Sequence, residues 1–239
     1  DALGQLAKKR RAGAAAAYSR RILESKNSPD EWALALRNVA WTDPSARPFL
    51  SEKMREMFAH EPWRATPSAG MLEAFDVIVF AKDVSFVPAL TEMAKGEQLD
   101  LQRAAAVALD RMAEQSPTEF LNYLNSHPTV LNDRPLVRAD YFAKADFSQS
   151  AQRIAAEAYL SRTDISIDEK TKFLKGLLTP ASFVSDNLLT QSPVVTIEQD
   201  AARQQAITEA VGDWVKTGRF PEVRPQLLFM QQRLSGTGQ

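Results

Sequence analysis

Cysteine is absent from this 239-residue chain, which removes thiol nucleophiles, Cys-ligated zinc and any disulfide framework. Histidine occurs only at His60 and His127, each beside helix-ending residues and neither in a His-x-x-x-His pair, so both read as capping or surface positions. Nine glycines are few for the tight turns of a sheet protein or for a phosphate loop. No Gly-x-Gly-x-x-Gly, Gly-x-x-x-x-Gly-Lys-Ser/Thr, Gly-x-Ser-x-Gly or calcium loop occurs, and no cofactor is implied. The longest apolar run, Leu72 to Ala81, contains Glu73 and Asp76 and is half the roughly 20 residues a bilayer span requires. Neither charge sign dominates: 29 basic against 30 acidic side chains give a net charge of −1. A nucleic-acid binder draws its affinity from a basic excess, so this balance argues against such a partner.

What the chain does hold is 44% hydrophobic residues, enough for a continuous core, and a repeated kind of punctuation. Ser28-Pro29-Asp30-Glu31, Ser116-Pro117-Thr118-Glu119, Ser166-Ile167-Asp168-Glu169 and Thr196-Ile197-Glu198-Gln199 all fit the capping box. In that motif a hydroxyl accepts from an early helical amide and the acidic or amide side chain reaches back. Asp43-Pro44 and Thr66-Pro67 add a capping side chain followed by proline at the first helical position. Apolar residues between these signals recur at helical spacing: Leu101, Ala105, Ala108, Met112; Val223, Leu227, Met230, Leu234; Trp32, Leu36, Val39; Ile207, Val211, Trp214. The pattern predicts helices at about 2–26, 29–41, 45–59, 67–82, 86–95, 98–114, 117–126, 135–144, 149–163, 167–178, 197–216 and 221–234. Two runs, Phe75–Phe80 and Pro193–Ile197, have the composition of strands but no visible pairing partner. The first is expected to be a helix buried on most sides, the second an extended linker. Irregular connections are expected near 127–134 and 179–196.

The charged groupings have plain readings. Lys8-Lys9-Arg10-Arg11 and Arg20-Arg21 suit a solvated face of the first helix. Asp110 with Glu114, and Glu52 with Glu56, share helix faces, but Lys53, Arg55 and Arg111 stand beside them, as on any solvated surface.

Residues 86–112 carry the most specific pattern: Phe86-Val87-Pro88-Ala89-Leu90, a break at Lys95-Gly96-Glu97, then Leu101-Gln102-Arg103-Ala104-Ala105-Ala106-Val107-Ala108-Leu109. This segment resembles a HEAT repeat, with Glu97 six residues before Arg103 where that family usually has aspartate. Arg153 and Arg203 follow at intervals of 50, in Ala151–Tyr159 and Ala202–Ala206. The resemblance implies an all-α fold, a right-handed α-solenoid of antiparallel helix pairs with irregular repeats, over a single domain spanning 1–239. It also implies a structural role for Arg103, Arg153 and Arg203 at the starts of equivalent helices, with Glu97 as partner of Arg103. Small side chains on the second helices allow neighbouring units to approach closely, and such units bury their apolar faces only by stacking.

No catalytic constellation is apparent, so the expected function is a non-catalytic protein-interaction or scaffolding module that holds a protein or peptide. The alternative is an enzyme of an unfamiliar class, such as a helical-repeat nucleic-acid-modifying enzyme with tryptophans along a basic channel. The lack of cysteine and the start at Asp1 set the expectation of an exported bacterial protein, periplasmic or secreted.

Overall fold

The structure, a computed structural model, describes residues 2–179 and 197–236, with side chains at 11–179 and 199–236. Every regular element among the described residues is helical. In chain order these are α1 (Ala2–Ile22), α2 (Pro29–Thr42), α3 (Arg47–Ala59), α4 (Glu61–Ala65), α5 (Ala69–Glu73), α6 (Phe75–Ala81), α7 (Val87–Met93), α8 (Leu99–Gln115), α9 (Pro117–Ser126), α10 (Pro135–Ala143), α11 (Ser150–Leu160), α12 (Ile167–Leu177), α13 (Ile197–Thr217) and α14 (Arg224–Gly236). Short 3-10 turns lead into α3, α7 and α14.

Several predicted caps form as bonds. Ser28 Oγ accepts from the Glu31 amide, and Ser166 Oγ from the Glu169 amide at 3.1 Å. Ser116 makes no side-chain cap bond. Asp43 caps the 3-10 turn before α3 by accepting from the Ser45 amide and hydroxyl. The window 67–82 differs from expectation. Thr66 is not the cap; its hydroxyl donates back to the Pro62 carbonyl, and Ser68 caps α5 through the Met71 amide. The segment then breaks at Ala74 into α5 and α6. The strand-like run Phe75–Phe80 is helical, as expected, with Phe75, Val77, Ile78 and Val79 all buried, so its β-branched composition reflects packing on several sides. The second such run, the fourth capping box and the connection after Thr179 lie outside the described residues, apart from the first residues of α13.

The chain divides into two compact units. The boundary falls between Gln115 and Ser116, at a Ser-Pro start signal that the capping pattern marks. Unit 1 holds α1–α8. Its centre is α2, which packs on α1, α3, α5 and α6, while α6 also reaches α3 and α8. Trp32, Leu36 and Val39 of α2 are fully buried, as their spacing predicts, and each such side chain contributes about 2 kcal/mol. Trp32 meets Trp63 edge to face at 5.5 Å. The start of α5 is pressed against α2: the Gly70 amide donates to Asp30 Oδ1 at 3.0 Å, and a Cβ at position 70 would overlap that oxygen.

Unit 2 holds α9–α14. Its helices pack on their second neighbours, α9 with α11, α10 with α12 and α12 with α14, and on some immediate ones, α10 with α11 and α13 with α14. The α10–α12 seam is close at Gly176. A Cβ on Gly176 would sit 2.6 Å from the Ala143 Cβ, so only glycine lets these helices meet there.

A buried ionic network closes that seam. Arg138 of α10 donates through Nε to Glu169 Oε1 at 2.8 Å and through Nη2 to Oε2 at 3.2 Å, with both side chains almost wholly excluded from solvent. Arg138 Nη1 donates to the Pro128 carbonyl at 2.9 Å, and the Tyr159 hydroxyl donates to Glu169 Oε1 at 2.6 Å. Tyr159 is itself stacked on Phe142, ring centroids 3.9 Å apart. Glu169 is the acidic member of the third capping box. Its amide takes the cap bond, but its carboxylate turns inward to Arg138. Burial opposes the charge on Arg138, yet the bonds to Glu169 outweigh it and hold the guanidinium more firmly protonated than usual. Burial, and then the bond to Glu169, push the Tyr159 hydroxyl well above its ordinary range.

Removing one partner strands the other charge in the interior. Arg138→Ala is expected to cost about 3–5 kcal/mol in urea unfolding, whereas the apolar pair Arg138→Met with Glu169→Leu recovers most of that loss.

Candidate functional site

The turn and helix that carry the most specific sequence pattern also border an opening in unit 1, a groove of about 490 Å³. One wall is α4, supplying Glu61, Arg64 and Ala65; the other is the α7–α8 hairpin, supplying Ala89, Glu92, Met93, Glu97 and Leu101. The local sequence explains the shape. Pro62 near the start of α4 and Pro88 near the start of α7 each begin a short helix, and Gly96 lies in the turn between α7 and α8. The Gln98 amide donates to the Ala65 carbonyl at the end of α4, tying the two walls together. Leu101 is buried at the base, and Met93 and Ala89 are partly covered.

Carboxylates dominate the charged groups of the lining. Glu61 and Glu97 are exposed; Glu92 pairs with Lys95 at 3.0 Å. Arg64 is the one cation among the described residues of the lining, and its Nη1 donates to the Phe58 carbonyl at 3.3 Å. The glutamates do not converge: among the described residues no group of three acidic or histidine side chains could hold a metal ion. Among its described residues the lining contains no histidine, serine, threonine or tyrosine to serve as nucleophile or proton shuttle. Chemically, the groove offers an apolar base between acidic lips.

The repeat arginines occupy three different settings. Arg103 is exposed on the same outer face of α8 as Leu99 and Val107, and it forms no bond with Glu97. The expected Arg103–Glu97 pair is therefore not made: Glu97 stands in the turn at the groove, while Arg103 lies in the next turn of α8 on its solvent face. Arg153 lies one helical turn before Glu157 and donates to it at 2.9 Å. Arg203 is buried and donates to the Ala143 and Ala145 carbonyls at 2.9 and 3.2 Å, where its charge meets the C-terminal end of α10. Burial pulls its pKa down, opposed by Asp200 and Asp146.

Sequence reasoning missed the cluster around Glu157 in unit 2. Besides Arg153, Glu157 accepts from Arg219 Nη1 at 2.9 Å and the Trp214 indole N–H at 3.4 Å. Burial pushes the carboxyl up, but the two arginines outweigh it and hold the group below the ordinary glutamate range. Three of the four tryptophans, Trp32, Trp63 and Trp214, are buried in the cores of their units; Trp41 is 68% exposed. The α4 wall was also missed, although Glu61-Pro62 repeats the proline-start signal used elsewhere.

No family model, curated protein or solved structure matches this chain.

Arg103→Ala is expected to leave the urea midpoint within about 0.5 kcal/mol of wild type, because nothing in the fold leans on that side chain. Glu157 gives a pH effect of defined sign. Its folded-state pKa is lowered, so its contribution is complete above the ordinary glutamate range and fades as pH falls through the folded value. Thermal unfolding followed from neutral to acid pH should show Glu157→Gln losing stability at neutral pH and converging on wild type in acid.

Proposed function

We propose that this chain is a non-catalytic protein-interaction module and that the α4/α7–α8 groove of unit 1 receives a peptide segment bearing both apolar and basic side chains. The observation that carries this reading is the groove's makeup: a 490 Å³ opening with an apolar base and the carboxylates of Glu61 and Glu97 exposed at its lips. Such lips favour a cationic segment and disfavour an anionic one, and the effect lies in encounter and selectivity more than in raw affinity. The HEAT-like solenoid reading is supported by the second-neighbour packing of α9–α12 and α14, which alternating rows of stacked helix pairs produce. That support is for architecture, and the function is argued from the groove. The nucleic-acid reading draws no support from Arg153, Arg203 or the groove: Arg203 is buried, Arg153 is paired, and the described lining of the groove is acidic.

The test is a peptide array of graded charge probed with the full chain, followed by titration of the best binders. Basic-apolar peptides are expected to bind in a salt-sensitive way. Glu61→Lys with Glu97→Lys should weaken them about tenfold at an unchanged helical circular dichroism spectrum, about 0.7 kcal/mol for each reversed rim charge. Indifference of binding to those two changes would remove the groove from the proposal.

A further inference from the structure

A second opening lies wholly within unit 2, between the end of α12 and the start of α14. It is a cleft of about 230 Å³ walled by Leu174, Leu178, Pro225, Phe229 and Met230. Two features separate it from an ordinary surface crease. Gln226, also in the lining, has its side-chain oxygen buried with no hydrogen-bond partner among the described residues. An acceptor held dry and unpaired costs free energy until a donor reaches it. Phe229 is 56% exposed and Leu228 beside it 40%, so the apolar wall continues onto open surface.

A complementary group must therefore be apolar, flat and of aromatic size, and must carry one N–H or O–H donor. A leucine or phenylalanine fills space but leaves the Gln226 oxygen unpaired. An indole satisfies both demands, and the Lys175 ammonium at the cleft suits the face of an aromatic ring.

The same chain displays such a group. On α2 of unit 1 the strip not used for packing runs Glu31, Leu34, Asn38, Trp41, at intervals of three and four residues. Leu34 is 63% and Trp41 68% exposed, and among the described residues no group accepts from the Trp41 indole. Seven residues place them on one face about 10 Å apart. Exposed tryptophans beside a second large apolar side chain are the usual anchors of interfaces.

We infer that the cleft of unit 2 is a docking site for a second copy of this chain, with Trp41 of that copy inserted between Leu178 and Phe229 and its indole N–H donating to the Gln226 side-chain oxygen. Leu34 of the same strip then covers the exposed surface of Leu228 and Phe229. The contact joins two different surfaces, so each bound copy keeps one surface free unless a reciprocal pair closes. This inference stands apart from the peptide groove, which involves neither surface.

Sedimentation of the full chain over a wide concentration range tests it. Wild type associates reversibly; Trp41→Ala weakens association about 30-fold or more, as expected for an aromatic anchor. Phe229→Glu, which sets a carboxylate in the cleft wall, does the same. Both changes are at exposed positions, and circular dichroism confirms that each variant is folded. Mixing the two variants restores association to one heterodimer, because one retains the cleft and the other the indole. Trp41→Phe keeps the apolar plate but loses the donor, weakening association about five- to tenfold, and costs almost nothing further in a Gln226→Leu background. A wild type that stays monomeric throughout overturns the inference. So does association indifferent to Trp41→Ala, or a variant mixture that remains monomeric. Peptide binding at the groove is read separately, so either idea can fail without the other.

Discussion

Arg138 and Glu169 bring two full charges into the interior of unit 2, and the surrounding packing follows from keeping them there. Taking either ion out of water costs several kcal/mol, recovered only when every remaining donor and lone pair is engaged. The Pro128 carbonyl and the Tyr159 hydroxyl engage them. With Arg138 on α10, Glu169 on α12 and Tyr159 on α11, one network joins three helices and the loop before α10. The stacking of Phe142 on Tyr159 and the close passage of Ala143 against Gly176 are consequences of the same arrangement. Unit 1 follows another logic. Its interior around α2 is mostly apolar, Arg111 of α8 is buried where its charge acts on Asp76 of α6, and other polar demands are met at helix ends by Ser68, Asp43 and Asp30.

Local physics was legible in the sequence wherever it acted over a few residues. Helix existence, most boundaries and the caps at Ser28 and Ser166 depend on side chains within one turn of the groups they satisfy. The 67–82 window was misread because Thr66 and Ser68 both offer a capping hydroxyl beside Pro67, and local rules do not choose between them. Glu169 shows the sharper limit. Its spacing from Ser166 fits a box, but a partner 31 residues away claims its carboxylate. Nothing in a one-turn pattern marks that competition.

The candidate sites divide the same way. Glu97 was singled out and does line the groove, but as an exposed lip and not as a partner for Arg103. The three arginines at intervals of 50 look equivalent in sequence, yet one is exposed, one pairs within its helix and one caps α10. Equivalence would have required equivalent neighbours. The Glu157 cluster joins α11 to α13 and to the turn after it, across about 60 residues of sequence, and no spacing rule reaches so far.

The brevity of α4, α5 and α6 has a consequence for how unit 1 comes into being. At five, five and seven residues they are far below the length at which a helix persists alone in water. Each must be held by something already in place, and the Asp30–Gly70 bond shows what that is: the N-terminus of α2, 40 residues earlier. The α1–α2 hairpin is built from local contacts and needs no such help. The middle of unit 1 therefore takes its helical stability from packing, and seating α5 on α2 requires closing a loop of 40 residues.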